Sequence, residues 1–426
     1  MDKTHIKRRL FEALKSHLVS KEISIIVGPR QAGKTTLMKE LLDQVRQVGG
    51  KTVFLNLDYE TDKTYVATQD TLINKLRLEF GNGPGYVFID EIQRKKNAGL
   101  FLKGIHDLGL PYKLIVSGSG SLELKESIHE SLAGRKRMFE LSTVDFFEFA
   151  DWKTAYAYTD RLPEFFAVES SKTVALLEEY LNFGGYPRVI LAGPAAEKSL
   201  IINEIFSSVI ERDITGLLQI NRPEAFSLMI KILASQTGQL LRYSELAKQV
   251  GISLPSIKKY LWYAEKTFII RLVTPFFSNK QKEILKSPVP YFCDLGLRNF
   301  SLGLLGAIAG SAGAGFTFQN LVANLLQDHL EPVQSLHFWR TNAGAEVDFV
   351  ISGPAGLLPI EVKYRDLPSV EVGRSLRSFI KKYHPLKAFI INKSFSGSRN
   401  IEGTPVVAVP FYQLIKAGRL FTGGAL

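Results

Sequence analysis

The sequence predicts an α/β fold of two or three domains, and three observations predict it. Short apolar runs suited to buried strands, such as Ile23–Val27 and Tyr86–Ile89, alternate with segments of helical spacing. The stretch Gly28-Pro29-Arg30-Gln31-Ala32-Gly33-Lys34-Thr35 joins one such run to such a helix and fits the pattern G-x-x-x-x-G-K-[ST]. From about Phe316 onward the chain reads helix, three strands, helix, strand. A chain of 426 residues with 45% apolar and 22% charged residues is long enough for sizeable cores and ordinary in composition.

Charge and cysteine usage narrow the setting. The chain has 53 Lys and Arg against 42 Asp and Glu, a net charge of +11, which favours polyanionic partners, nucleic acid first, and says nothing about fold. A single cysteine, Cys293, excludes an intramolecular disulfide and a cysteine-cluster zinc site. It fits a reducing compartment, so a cytoplasmic location is expected. Met1–Leu10 is charged and has no apolar signal core. Leu302–Phe318 lacks charge but consists mostly of Gly, Ala and Ser, and is expected to be a flexible connection rather than a membrane span.

Taken in order, residues 1–20 have an amphipathic helical pattern with Ile6, Leu10, Leu14 and Leu18 on one face. Ile23–Val27 is then a strand and Thr36–Leu42 lies in a helix. The loop between them lets successive backbone N–H groups point at a β-phosphate, with the positive end of the helix behind them. Gly28, Pro29, Arg30, Gln31, Ala32, Gly33, Lys34, Thr35 and Thr36 are the candidate ATP-binding residues. Lys34 would reach the β- and γ-phosphates, and the Thr35 hydroxyl would bind Mg²⁺.

Lys51–Leu57 is the next strand, Asp70–Phe80 a helix, and Gly81–Gly85 the turn that ends it. Tyr86-Val87-Phe88-Ile89-Asp90-Glu91 is an apolar strand ending in two carboxylates. Asp90 would hold the Mg²⁺ shell and Glu91 would orient or deprotonate the attacking water. Lys113–Ser119 is a further strand ending in hydroxyls. Ser117 and Ser119 are candidates to sense the γ-phosphate, or else belong to a serine-rich turn. Arg135, in Leu132-Ala133-Gly134-Arg135, reads either as an arginine finger donated to a neighbouring subunit or as a solvated basic turn.

Together the loop, the Asp90-Glu91 strand end, Ser117-Gly118-Ser119 and Leu132–Arg135 resemble AAA+ ATPases. They are most similar to a prokaryotic subfamily with a C-terminal domain of restriction-endonuclease type. The resemblance implies three domains: a P-loop AAA+ ATPase core at 1–150, a helical lid and winged-helix domain at 151–300, and a nuclease-like domain at 301–426. It also implies a homo-oligomer, a hexameric ring, in which Arg135 has a partner. Phe183-Gly184-Gly185-Tyr186-Pro187-Arg188 resembles the family's lid element, with Arg188 as a second sensor or part of a structural turn.

Tyr243–Leu261 reads as helix-turn-helix, turned at Gly251 and capped by Ser253 or Ser256, with the wing at Phe268–Phe277. Ser256, Lys258 and Lys259 point outward and are the candidate DNA contacts, in either a DNA-binding module or a purely structural lid.

In the third region the αβββαβ order is that of the PD-(D/E)xK nuclease core. Asp348 lies on one strand, and Glu361 and Lys363 share a face of the next. Asp348 and Glu361 would hold Mg²⁺, and Lys363 would stabilise the transition state. Relatives usually place Glu in a Phe-Glu-Asn context in the first helix, where this chain has Phe318-Gln319-Asn320, and a neutral amide is a poorer Mg²⁺ ligand.

Three functions are therefore expected: an ATP-driven motor on DNA, branched or recombining; an ATP-regulated, metal-dependent nuclease; or a nucleotide-switched signalling or scaffold protein.

Overall fold

A computed structural model gives the architecture and describes residues 5–119, 131–209, 222–277, 287–308, 311 and 313–416. The first helix, α1 (Leu10–Ser16), is shorter than its apolar spacing predicts. Residues 5–9 run outside it because Arg8 is drawn to other partners, and residues 1–4 of the expected helix lie outside the described residues. The first sheet is built from β1 (Ile23–Gly28), β2 (Thr52–Asn56), β3 (Gly85–Asp90), β4 (Tyr112–Ser119) and β5 (Lys136–Glu140). Its strands are all parallel in the order β2-β3-β4-β1-β5.

Helices α2 (Lys34–Gln47), α3 (Glu60–Tyr65), α4 (Gln69–Phe80) and α5 (Ala98–Asp107) connect these strands. One apolar cluster gathers Ile25, Val27, Val87 and Leu102, and another gathers Ile26, Leu37, Leu41 and Phe88. Alternate residues of β1 and β3 thus pack into opposite layers, so both faces of the sheet are buried, as a parallel sheet requires.

A phenylalanine-rich segment follows β5. Asp145 caps α6 (Phe146–Lys153) by accepting from the N–H groups of Phe147 and Glu148, and Glu148 completes a capping box. The capped helix also packs against distant parts of the chain. Phe146 packs 5.2 Å from Phe411, and Phe166, on α7 (Leu162–Val168), lies 5.6 Å from Tyr412. Its aromatic rings therefore form a core shared with the far end of the chain.

Helices α8 (Ser170–Phe183), α9 (Pro187–Leu191), α10 (Ala195–Ser208) and α11 (Pro223–Ser235) lead to the helix-turn-helix pair α12 (Tyr243–Val250) and α13 (Leu254–Lys266). Gly251 turns between the pair with φ +72°, a backbone region open to glycine, and Ser253 accepts from the Ser256 N–H at 3.3 Å. Ile257 and Leu261 are buried while Lys258 and Lys259 are exposed.

Strands β6 (Ile270–Pro275) and β7 (Val289–Phe292) pair antiparallel after this, and α14 (Leu295–Ser301) follows, its N-terminus capped by Asp294. Only β6 falls within the expected wing at Phe268–Phe277, β7 lies beyond it, and the pair is the edge of a larger sheet. With β8 (Ser335–Arg340), β9 (Glu346–Gly353), β10 (Gly356–Val362), β11 (Ala388–Asn392), β12 (Gly397–Ile401) and β13 (Thr404–Pro410), the order is β12-β13-β11-β10-β9-β8-β6-β7. β6 joins β8 in parallel through Thr274 and Pro275. The expected boundary at residue 300 therefore falls inside a continuous eight-stranded sheet.

The remaining helices are α15 (Ala314–Asp328) and α16 (Arg374–Tyr383). The sequence α15-β8-β9-β10-α16-β11 follows the predicted helix and strand order. Helix α15 begins within the stretch expected to be a flexible connection, because Ala314, Thr317 and Phe318 are buried against the core; residues 309, 310 and 312 of that stretch lie outside the described residues. Among the described residues, no helix is long and apolar enough to cross a membrane.

Candidate nucleotide site

Because all five strands of the first sheet are parallel, the ends of β1, β3 and β4 emerge on one edge. Gly28 faces Ser119 across the β1–β4 pairing, and Asp90 closes β3 one strand further on. Open parallel sheets place ligand sites at this carboxyl-terminal edge. Gly28 has a steric reason to be glycine: a Cβ there would lie 2.1 Å from the Leu141 carbonyl oxygen, which follows β5. Gly33 has φ +97° and Gln31 φ +59°, so the loop turns twice through the left-handed region before α2 starts.

The loop's side chains are already engaged. Lys34 is buried, and its ammonium donates to the carbonyls of Gly28 at 3.1 Å and Pro29 at 2.8 Å. Thr35 Oγ1 donates to Asp90 Oδ2 at 2.7 Å. Ser117 Oγ donates to the other Asp90 oxygen and accepts from the Glu91 N–H at 3.3 Å. The serine on β4 thus touches both members of the carboxylate pair. Glu91 adopts φ +57°, which turns its side chain out of the strand line. Burial pushes the Glu91 carboxyl above the ordinary glutamate range, opposed by the nearby Lys34 ammonium. Thr35 and Asp90 supply hard oxygen donors beside an anion-binding loop, the chemistry that suits Mg²⁺ on a nucleotide triphosphate.

A cavity of about 440 Å³ opens in front of the loop, of the size that takes a small-molecule ligand. Gln31, Gly33, Lys34, Thr35 and Glu91 form one wall, and His5, Ile6, Pro187 and Leu191 close the others. Arg188 Nη1 donates to Gln31 Oε1 at 3.1 Å, and its Nη2 pairs with Glu204 at 2.9 Å. Helix α9 thereby touches the phosphate loop directly. The backbone leading into it is fixed from the other side. Gly184 has φ +72°, and a Cβ at Gly185 would lie 2.0 Å from the Val144 carbonyl oxygen. The Gly185 N–H donates to the buried Asp294 at 2.8 Å.

Other predicted residues lie away from this cavity. Arg135 sits at the opposite edge of the sheet, where its carbonyl accepts from the Ile23 N–H and its guanidinium pairs with Asp107 at 2.6 Å. Ser119 accepts from Gln93 at 3.0 Å. Ser256, Lys258 and Lys259 lie on the outer side of α13.

In the C-terminal sheet, Asp348 Oδ1 accepts from the Gln319 amide at 3.0 Å, and Oδ2 accepts from the Val362 N–H at 2.7 Å. Lys363 pairs with Glu361 at 2.6 Å. Burial pushes the Asp348 carboxyl up to about 7. Predicted neighbours are thus brought together here: both Asp348 oxygens and the Lys363 ammonium are engaged within the protein, while Glu361 Oε2 is buried without a hydrogen-bond partner. No group of three His, Cys, Asp or Glu side chains that could hold a metal ion occurs among the described residues.

Sequence reasoning missed two contributors. Gln93 donates to both Glu91 and Ser119 and so bridges the second carboxylate after β3 and the serine that ends β4. Its place two residues after Glu91 in a short turn was the available signal. Arg8 is buried and donates to the Ala32 carbonyl at 2.9 Å. Nothing in its charged surroundings marks it, although its partner Glu148 belongs to a readable Asp-x-x-Glu cap.

Residues 20–150 match the family model described as "AAA domain". Residues 174–307 and 314–412 match two models described as domains of unknown function, DUF8612 and DUF4143. An uncharacterized protein of Mycobacterium tuberculosis is 27% identical over 93% of this chain and 81% of its own length. One of Methanocaldococcus jannaschii is 26% identical over 88% of this chain and 82% of its own. Among solved structures, the replication initiator DnaA bound to AMPPCP and single-stranded DNA aligns with 62% of this chain and 91% of its own, at 14% identity and a TM-score of 0.30. AMPPCP-bound DnaA from Aquifex aeolicus aligns with 60% of this chain and 86% of its own, at 13% identity and a TM-score of 0.26. Residues 20–150 thus carry an AAA-type P-loop ATPase domain.

Proposed function

We propose that this chain couples ATP hydrolysis at the Lys34–Thr35–Asp90–Glu91 site to the gripping and remodelling of DNA. In this reading residues 1–150 are the motor, 151–300 the lid and winged helix, and 301–426 a nuclease-like module. The backbone N–H groups of Gly28–Thr35 would bind the phosphates. Lys34 would turn from the Gly28 and Pro29 carbonyls toward the γ-phosphate. Thr35 and Asp90 would hold Mg²⁺, which when bound offsets the phosphate charge. Glu91 would take a proton from the attacking water, oriented by Gln93, and Ser117 would report the state of the γ-phosphate through Asp90 and the Glu91 N–H. Arg135, far from the cavity of its own subunit, would serve the site of a neighbour in a ring.

One observation carries the coupling: Arg188 of the lid is bonded to Gln31 of the phosphate loop. A change of loop geometry on hydrolysis would pull on α9 and, through Gly185 and Asp294, on the segment that begins α14. DNA is favoured by the net charge of +11 and by the outward Ser256, Lys258 and Lys259 of the helix-turn-helix. The C-terminal module would hold DNA without cutting it, because Gln319 donates into Asp348 where a cation would need free oxygens.

ATP turnover by the wild type, with and without a four-way DNA junction, tests the reading while the integrity of the strands is followed. Stimulated turnover with intact DNA is expected. Lys34→Ala should lower turnover by roughly 10²-fold or more, since a preorganised phosphate ligand is lost. Unchanged turnover in that variant would sink the ATPase assignment to this site. Cutting abolished by Asp348→Ala would establish the nuclease reading instead. DNA that alters neither turnover nor itself would favour the nucleotide switch.

A further inference from the structure

The charge of this protein is concentrated. Between Val372 and Ile401 there are seven cations, Arg374, Arg377, Lys381, Lys382, Lys387, Lys393 and Arg399, and no Asp or Glu. This segment alone supplies 7 of the net +11. Four of the seven lie on α16, where Arg374, Arg377, Lys381 and Lys382 are exposed and make no ion pair among the described residues. Leu376, Phe379 and Ile380 are buried against the sheet, so the outer face of the helix presents cations and Ser378 without an apolar side chain. Glu371, just before the helix, pairs with Arg365, and Glu346, brought near by its N–H donating to Ser375, pairs with Arg340.

We infer that the outer face of α16 is a backbone-binding surface for duplex nucleic acid, a contact separate from the helix-turn-helix. The inference rests on the proposed DNA function and adds where the C-terminal module would grip. Ten helical residues extend about 15 Å, and the same length of duplex axis carries on the order of nine phosphate charges. Mobile Lys and Arg side chains on a polar face suit phosphate contacts, which position a duplex without reading its sequence. A membrane surface suits this face less well. Interfacial helices bury an apolar face in lipid, and the apolar face of α16 is already packed inside the protein. One exposed apolar residue, Leu386, lies beyond the end of the helix. A protein partner would need an aromatic or aliphatic anchor, and the outer face of α16 has none.

Binding of a labelled 30-base-pair duplex to the full chain, measured from about 50 to about 200 mM salt, tests this. In the variant Arg374→Gln/Arg377→Gln/Lys381→Gln/Lys382→Gln the slope of log affinity against log salt should fall by about three to four, because each lost phosphate contact removes about 0.9. Affinity in low salt should fall more than tenfold. Arg374→Lys/Arg377→Lys should keep the wild-type slope. ATP turnover without DNA should be unchanged in both variants, which controls for folding. An unaltered slope in the fourfold variant, with binding lost in Lys258→Gln/Lys259→Gln, would overturn this inference and leave the DNA function standing. A wild-type chain that fails to bind the duplex would overturn both. If the fourfold variant instead lost binding to phosphatidylglycerol vesicles and kept its DNA affinity, the face would be a lipid surface and the inference would be wrong.

Discussion

Arg8 and Glu148 form a buried ion pair at 2.9 Å, and the same guanidinium donates to the Ala32 carbonyl in the phosphate loop at 2.9 Å. Arg8 also reaches the carbonyls of Ser142 and Thr143, so one side chain joins the N-terminal segment, the loop and the cap of α6. Removing one member of such a pair strands a buried charge, which typically destabilises by about 3–5 kcal/mol. Arg8→Ala should therefore lower the denaturant midpoint strongly and weaken ATP binding, whereas Arg8→Ala/Glu148→Gln should recover part of the stability. A midpoint unchanged in the single variant would show that the pair carries no net stability.

Glu91 and Gln93 should separate in kinetics. Glu91→Gln removes the proton acceptor but keeps a side chain of the same shape, so ATP binding should survive while turnover falls by roughly 10²- to 10⁴-fold. Gln93→Ala frees the Glu91 carboxylate from its tether and should give a smaller loss. Equal losses in the two variants would argue that Glu91 acts only through its position.

The pH dependence of turnover follows from the same carboxylate. Burial holds the Glu91 pKa above the usual glutamate range, and in the proposed role as base the reactive form is the deprotonated one. Turnover should fall as pH drops through that raised value, so the acidic limb should lie above the ordinary glutamate range, and the residual activity of Glu91→Gln should lack this limb. A limb at an unperturbed carboxylate value would remove Glu91 from the role of base.

Asp348 makes the opposite kind of statement, one about stability. Its carboxyl is raised to about 7, so the folded protein holds that proton more tightly than the unfolded chain does. The resulting stabilisation is fully present below the unfolded aspartate range and is lost as pH rises through about 7. The melting temperature should therefore decline from about pH 4 to about pH 7, less steeply in Asp348→Asn. An identical pH profile in the two proteins would mean that the titrating group lies elsewhere.

Gln319→Glu should convert the C-terminal site. A carboxylate would replace the amide that donates to Asp348 at 3.0 Å, giving three acidic side chains with Glu361. Mn²⁺ binding by calorimetry should appear in the variant and be absent from the wild type. Equal binding by both would show that the amide does not block a cation.

Much of the nucleotide site was legible because its chemistry is local. The loop, the strand end and the β4 serine each lie within a few residues of a strand terminus, and parallel pairing brings those termini to one edge. The αβββαβ order was readable for a similar reason, since each element carries its own period. Contacts between distant segments were not. Arg8 meets Glu148 across 140 positions, and no local pattern encodes that meeting. Apolar spacing continues through Ile6 and predicts a longer first helix, while the competing tertiary bonds of Arg8 keep that turn out of it. The join of β6 to β8 was equally hidden: a wing strand and a sheet-edge strand have the same alternation, and only the three-dimensional neighbour tells them apart.

That join bears on how the protein can be taken apart. A fragment beginning near residue 301 would leave the hydrogen-bonding edge of β8 bare, and a fragment ending there would carry β6 and β7 without their neighbour. Open edges of this kind template association with other chains, so both pieces should be poorly soluble, whatever the quality of their cores. The strands that follow the helix-turn-helix and those of the C-terminal sheet are therefore best kept together in any truncated version of the chain.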